Sequence, residues 1–235
     1  TNLDLSKNKD LIHLDCSLNK LTNLDLNKNV DLTYVDCRHT QLTELIVASN
    51  TSLTKLYCGD NQLTNIDVSK NTNLTSFYCE ANQLTNLDLS KNKDLTHLDC
   101  HSNKLTNLDL NKNVDLTFLD CRNNQLKTLD LSKSIALQFL YCARNQLTTI
   151  DLSQNTSLYR LECQYNRLTQ LIVSDNTSLT ELFCGGNKLT SLDVTGATAL
   201  ILLDCGSNPF GSSNPFDCVF GLTEKCTLKG KDRCN

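Results

Sequence analysis

A cysteine that recurs every 21 residues constrains the fold of this chain more than any other feature. Ten copies keep strict register from Cys16 to Cys205. Repetition at a period of this size indicates a solenoid, in which each unit buries its apolar side only by stacking on its neighbours. With a rise of about 4.8 Å per coil, as in a stacked sheet, the repeats predict one elongated body about 50 Å long.

Each 21-residue unit contains two similar halves, as the copy from Leu21 to Gln41 shows. Its first half reads LTNLDLNKNVD and its second half reads LTYVDCRHTQ. Apolar residues alternate with polar ones over short runs in both halves, which is the pattern of half-buried strands. The asparagine in each polar turn is expected to stack on its equivalents and to satisfy backbone groups there. The side chains predicted to point inward in this copy are Leu24, Leu26, Leu32, Val35 and Cys37.

Both halves resemble the leucine-rich repeat signature, as LxxLxLxxN in the first and LxxLxCxxN in the second. The cysteine in place of a leucine, with the 21-residue unit, resembles bacterial leucine-rich repeat surface proteins of the internalin J type. The expected fold is a gently curved, mainly β leucine-rich repeat solenoid. A parallel sheet covers one face and extended or turn segments the other, with little or no helix. The resemblance also implies adhesion to a host or neighbouring cell surface.

The repeat register stops after Asn208, at the sequence NPFGSSNPFDC. Proline removes a backbone donor and the glycine–serine run predicts a loop, so the sheet is expected to end there. NPFDC resembles the opening of the C-terminal caps of extracellular leucine-rich repeat proteins. We predict a solenoid over residues 1–208 and a cysteine-containing cap over residues 209–235 that covers the apolar end of the last coil.

The thirteen cysteines divide into two groups. The ten in register point into the core, and parallel rungs do not turn their Cβ atoms toward each other as a disulfide requires. They are predicted to form a ladder of reduced thiols, without a metal site, because no CxxC-like cluster occurs. A disulfide between two of the other three would indicate an oxidising compartment, and their spacing leaves the pairing open. These disulfide candidates are Cys218, Cys226 and Cys234.

The exposed columns of the first half-repeat barely change from coil to coil. Aspartate follows the second leucine in most copies and lysine stands three residues further on, as in Asp88 and Lys91. Where Ile46 and Ile172 replace the aspartate, the lysine is lost as well. This joint change predicts mutually neutralising ladders of surface ion pairs. Calcium binding by the carboxylates is the less favoured alternative.

The exposed columns of the second half-repeat differ from coil to coil and contain all four histidines. Drift at unconstrained surface positions would favour small polar residues over rings such as Phe118, and tyrosine and arginine anchor many interfaces. We therefore predict a ligand-binding surface, here called the variable face. It comprises Tyr34, Asp36, Arg38, His39, Lys55, Tyr57, Asp60, Tyr78, Glu80, His97, Asp99, His101, Phe118, Asp120, Arg122, Phe139, Tyr141, Arg144, Arg160, Glu162, Tyr165 and Phe183.

Other classes of function find little support. The net charge of −4 indicates neither nucleic acid nor an anionic membrane as a partner. No run of about 20 apolar residues predicts a membrane span. Serine-hydrolase, zinc-protease and phosphate-loop motifs do not occur, so the protein is predicted not to be an enzyme and to need no cofactor.

The sequence predicts a secreted or cell-surface protein that binds a protein or glycoprotein. We expect this stretch to be a fragment without the secretion signal and the surface anchor. Two alternatives stay open. Tyr57, Tyr78 and Tyr141 could stack on sugar rings in a carbohydrate- or mucin-binding module. The variable face could also belong to a recognition scaffold, natural or engineered, that was diversified for a chosen antigen.

Overall fold

The computed structural model describes residues 2–210 and the backbone of residues 219–220 and 227–228. Short strands joined by turns make up these residues, and no helix in them could cross a membrane. The three cysteines predicted as disulfide candidates lie outside the described residues. The strands are β1 (Asn2–Leu3), β2 (His13–Asp15), β3 (Asn23–Leu24), β4 (Tyr34–Asp36), β5 (Lys55–Tyr57), β6 (Ser76–Tyr78), β7 (His97–Asp99), β8 (Phe118–Asp120), β9 (Phe139–Tyr141), β10 (Arg160–Glu162), β11 (Glu181–Phe183), β12 (Leu192–Asp193), β13 (Leu202–Asp204), β14 (Val219–Phe220) and β15 (Thr227–Leu228).

One parallel sheet runs along the side formed by the second half-repeats. Strands β2, β4 to β11 and β13 pair in chain order, and β15 extends this sheet beyond β13. The first half-repeats form only the short pairs β1–β3 and β12–β14 and isolated bridges. This arrangement confirms the predicted solenoid, with a sheet on one face and extended or turn segments on the other. The gentle curvature and the boundary at residue 208 stay predictions.

The apolar residues of both halves fill one core. All five side chains predicted to point inward in the second coil are buried, and Val35 and Cys37 have no exposed surface. The ten register cysteines are buried thiols, which confirms the thiol ladder. Burial raises the pKa of the Cys16 thiol to about 11, and that of Cys37 well above its ordinary value. Burial therefore favours the protonated form of these thiols.

A row of buried asparagines in the first half-repeats joins each coil to the one before it. Asn50 Nδ2 donates to the carbonyl oxygens of Leu26 at 3.1 Å and Asn29 at 2.8 Å. Both carbonyls belong to the preceding coil, so this one side chain fixes the position of two coils relative to each other. Equivalent bonds are made by Asn29, Asn71, Asn92, Asn113, Asn155 and Asn176.

A second row of asparagines does the same in the second half-repeats. Asn103 Nδ2 donates to the carbonyl oxygens of Cys79 and Cys100 at 3.0 and 3.1 Å, and its Oδ1 accepts from the Leu84 amide at 2.9 Å. The residue before it, Ser102, has a positive φ of 54°. That left-handed residue turns the chain at the end of each strand, and the turn directs the asparagine side chain that follows into the protein interior.

The predicted ion pairs between the first-half aspartates and lysines are wrong. Among residues 2–210, no carboxylate of that column lies within 4.0 Å of a lysine. Each carboxylate instead accepts a hydrogen bond from the backbone two residues on, as Asp88 does from Ser90 at 2.9 Å. That bond lowers the pKa of the Asp88 carboxyl, and Lys91 adds a smaller attraction. A local turn satisfies the carboxylate better than a long, solvated lysine side chain does.

Replacing Ser134 by asparagine is expected to stabilise the protein. Ser134 is fully buried in the first-half row, between Asn113 and Asn155, and its Oγ has no hydrogen-bond partner. An asparagine in register would donate to the carbonyls of Leu110 and Asn113, which adds about 1 kcal/mol and raises the urea midpoint. The exposed change Ser132→Asn is the control and should leave the midpoint where it is. A lower midpoint for Ser134→Asn would contradict the proposed role of the row.

Candidate binding surface on the sheet

Alternation along the strands places two residues of every coil on the solvent side of the sheet. In β7, Leu98 is buried while His97 and Asp99 face outward and are half-buried. Because the strands pair in register, equivalent residues of neighbouring coils stand about 4.8 Å apart. A third outward residue follows each cysteine, and a fourth occupies the left-handed turn. The variable face therefore consists of four adjacent columns.

Aromatic rings cover the N-terminal part of this face. His13, Tyr34, Tyr57 and Tyr78 follow one another with ring centroids 4.0, 5.3 and 4.8 Å apart. The Arg38 guanidinium lies 5.0 Å from the Tyr57 centroid, at cation–π distance. Burial raises the pKa of the three tyrosine hydroxyls. The sequence predicted the tyrosines as ligand-binding residues and placed His13 in the same outward column as Tyr34, without naming it as a binding residue.

A second aromatic group lies toward the C-terminal part of the face. The Phe118 centroid is 6.5 Å from that of Phe139 and 5.5 Å from that of Tyr141. Phe139 also packs on Tyr159, at 5.7 Å. Tyr159 was missed because it occupies a column that is threonine in most coils. That departure from the repeat was the available signal.

Arginine–carboxylate pairs stiffen the face. Arg38 Nε lies 3.0 and 3.1 Å from the two oxygens of Asp36, and Arg122 Nε lies 3.0 Å from both oxygens of Asp120. Arg122 Nη1 also reaches Glu162 Oε2, two coils on, at 3.3 Å. These contacts fix both guanidinium groups in two-pronged geometry.

Three carboxylates predicted to face a ligand are instead buried. Asp36 and Asp120 are each 2% exposed because their arginines cover them. Glu80 is 8% exposed and lies over Gly59, in the space that a side chain at residue 59 would fill. Burial raises the pKa of the Glu80 and Asp120 carboxyls. The surface that a partner can touch therefore consists of rings and guanidinium groups more than of these acids.

The fourth column projects beyond the ends of the strands. His39, Asp60, Arg144 and Tyr165 have φ values of 52°, 51°, 56° and 55° and are exposed. The Arg144 guanidinium lies 4.6 Å from the Tyr165 centroid. Tyr165 in turn covers Gly186, where an added side chain would collide with the ring. This column forms a raised edge along the sheet.

His101 lies between two carboxylates of adjacent strands. Its Nδ1 is 2.7 Å from Asp99 Oδ1 and 3.8 Å from Asp120 Oδ2. The hydrogen bond with Asp99 raises the pKa of His101. Within the described part of the chain, these three residues are a group whose metal-capable atoms all lie within 4.8 Å of one another. Linear spacing does not reveal this group, because it joins two coils.

Known proteins match the chain through its repeat. A family model of leucine-rich repeats, with two copies, matches residues 51–92. No curated protein sequence matches the chain. The functional domain of InlJ from Listeria monocytogenes, which includes a cysteine ladder, is 37% identical with a TM-score of 0.75. That match covers 97% of this chain and 56% of the InlJ chain, so this chain spans little more than half of that domain.

Two more distant solved structures share the fold. The internalin InlF from Listeria monocytogenes is 21% identical with a TM-score of 0.75, covering 96% of this chain and 77% of its own. The ectodomain of the plant receptor kinase GASSHO1/SCHENGEN3 from Arabidopsis thaliana, in complex with Casparian strip integrity factor 2, is 24% identical with a TM-score of 0.81. That match covers 98% of this chain and 32% of the ectodomain.

Removing the Arg122 side chain is expected to destabilise the protein, because Asp120 would lose its two-pronged ion pair and keep only His101, at 3.8 Å, as a cationic neighbour. Arg122→Ala should cost about 1.5–3 kcal/mol in urea unfolding, the range for hydrogen bonds to a charged group. Adding Asp120→Asn should recover most of that loss, since asparagine removes the charge and keeps an acceptor for the amide of residue 122. Arg144→Ala, at an exposed position, is the control. Equal losses in the single and double variants would contradict the ion-pair explanation.

Proposed function

Because this chain is an internalin-like leucine-rich repeat protein, we propose that it binds a protein or glycoprotein partner through the variable face. Proteins of this fold typically serve as binding and recognition scaffolds and not as enzymes. In this proposal the protein has no enzymatic activity and acts at the cell surface or after secretion. Adhesion to a host or neighbouring cell is the proposed use.

The observation that carries this proposal is the strip of half-buried rings and fixed guanidinium groups along the solvent side of the sheet. The Arg160 guanidinium lies between two rings, 5.6 Å from Tyr141 and 4.9 Å from Phe183. Its Nε donates to Glu162 at 3.0 Å, and the same guanidinium pairs with Glu181 of the next coil. Tyrosine and arginine dominate the energetics of interfaces, and side chains that are already ordered lose less entropy on binding.

The raised edge gives separate support. Glycine adopts a positive φ freely, whereas a residue with a side chain costs roughly 1–2 kcal/mol there. The chain nevertheless has Arg144 and Tyr165 at such positions and keeps both exposed. Neither residue is needed to build the core. A contribution to binding accounts for large side chains at positions that disfavour them.

The ring contacts favour a protein surface over a bare sugar. Stacking on a sugar needs a free ring face, and the Tyr141 ring already has Arg122 at 5.0 Å and Arg160 at 5.6 Å from its centroid. Tyr57 likewise lies between Tyr34 and Tyr78. The plant receptor ectodomain, in complex with Casparian strip integrity factor 2, is a precedent for a bound partner on this fold.

Cell-binding measurements test the proposal. Fluorescently labelled protein should bind host or neighbouring cells saturably, and Tyr57→Ala/Tyr141→Ala should weaken that binding at least about tenfold, as expected for anchoring residues. The matched control is Asp88→Asn/Asp109→Asn, on the first half-repeats, which should bind as the wild type does. Lys55→Glu changes an exposed face position without touching the core and is expected to weaken binding as well.

Three results would contradict the proposal. They are unchanged binding by the tyrosine variant in its folded state, equal loss in the aspartate control, or no saturable binding by the wild type. Pretreating the cells separates the ligand classes, because protease should abolish binding to a protein partner. Binding that survives protease and disappears after glycosidase would assign a glycan instead.

A further inference from the structure

The group of Asp99, His101 and Asp120 has the composition and spacing of a metal site. The three residues come from β7, the turn after it and β8, and the metal-capable atoms lie within 4.8 Å of one another. Ligands at about 2.1 Å from a tetrahedral zinc ion are about 3.4 Å apart. The distances from His101 Nδ1 to the two carboxylates, 2.7 and 3.8 Å, lie on either side of that value. Small side-chain rotations therefore suffice to place all three around one ion.

The group is partly shielded from solvent. The side chains of Asp99, His101 and Asp120 are 13%, 29% and 3% exposed. Burying two carboxylates side by side is unfavourable unless positive charge compensates them. Arg122 supplies one such charge to Asp120 and shares it with Glu162. A divalent cation bound at His101 Nδ1 would bring two positive charges to the carboxylates, in place of the single charge of a protonated His101.

A further carboxylate, without an ionic partner among the described residues, belongs to the coil before this group. Glu80 occupies the position in the preceding coil that is equivalent to His101, about one strand spacing of 4.8 Å away. It is 8% exposed, and its Oε2 accepts no hydrogen bond. No arginine, lysine or histidine of the described residues lies within 4.0 Å of its carboxylate. Its carboxylate lies toward Gly59 of the coil before it, on the side away from His101, so Glu80 adds negative charge near the group and is not one of its ligands.

The chain contains its own reference for this group. Residues 2–32 nearly repeat as residues 86–116, four coils later. In the first copy, Asp15 stands opposite Asp36 in the same register as Asp99 opposite Asp120, but Ser17 takes the place of His101. The Ser17 hydroxyl bonds Asp15 Oδ1 at 2.7 Å. The fold therefore accommodates serine here, and histidine adds a nitrogen ligand to an otherwise equivalent pair of acids.

We propose that Asp99, His101 and Asp120 bind a divalent transition-metal ion such as Zn²⁺. A nitrogen with carboxylate oxygens suits zinc, whereas Mg²⁺ and Ca²⁺ take oxygen ligands only. The ion would take the Nδ1 lone pair of His101, so a proton carried by Nδ1 would be released to solvent on binding. Asp120 can keep its bonds to Arg122, because a carboxylate has about four lone-pair directions. This site lies within the variable face, but it does not depend on whether that face binds a macromolecule.

Zinc titration of the full chain, stripped of metal beforehand, tests this site by calorimetry. Wild type should bind one Zn²⁺ per chain that both His101→Ser and Asp99→Asn weaken at least about tenfold. His39→Ser is the matched control, since His39 Nδ1 lies 3.4 Å from Asp60 in a more exposed pair. In NMR spectra of the wild type, the ring signals of His101 should shift with zinc and those of His39 should not.

Cobalt distinguishes the proposed ligands from the cysteines. Co²⁺ at this site should give visible absorption without the near-ultraviolet thiolate-to-metal band that cysteine ligation produces. The proposal is overturned if zinc binding is unchanged in folded His101→Ser, or if all the cobalt absorption is of the thiolate type. It is also overturned if the His101 signals do not move at saturating zinc, a result that does not depend on the folding of any variant.

Discussion

Hydrogen bonding from each coil to the next is the interaction on which the rest of this structure depends. No single coil has a core of its own, because its leucines and cysteine are covered only by the coils on either side. Two rows of buried asparagines and the in-register strands fix how far each coil is displaced from its neighbour. A strand that slipped by one residue would turn every core side chain outward. Holding the register therefore also determines which residues face solvent.

The two halves of the repeat divide these tasks. The first half contains the asparagine row and the aspartates whose carboxylates accept a backbone hydrogen bond. It is nearly constant and has little regular sheet. The second half combines a constant inner side of leucine and cysteine with an outer side that changes from coil to coil. Because the inner side and the asparagine turn fix the backbone, the outer residues can vary at little cost to the fold. That freedom allows rings, guanidinium groups and the group around His101 to occur on one surface.

The repeat made the architecture predictable, whereas side-chain pairing was not. Period-two alternation around Cys37 and Val35 gives the inward side directly, and ten copies remove ambiguity of register. The Asp88–Lys91 pairing was wrong because linear spacing does not show that a backbone amide two residues away competes for the carboxylate. The burial of Asp120 beneath Arg122, and the meeting of His101 with Asp120, depend on rotamers and on contacts between coils. The sequence of a single repeat contains no information about rotamers or about contacts between coils.

Thiol labelling of the native protein tests directly whether the strand register buries the cysteines and leaves the variable face exposed to solvent. The ladder thiols from Cys37 to Cys163 have no exposed surface, and burial raises their pKa well above the ordinary value. Iodoacetamide at neutral pH, followed by peptide mapping, should leave these cysteines unmodified in the folded protein. It should modify all of them after unfolding in guanidinium without reductant. Rapid labelling in the folded state, or failure to label after unfolding, would contradict the buried, reduced ladder and the orientation of the face opposite it.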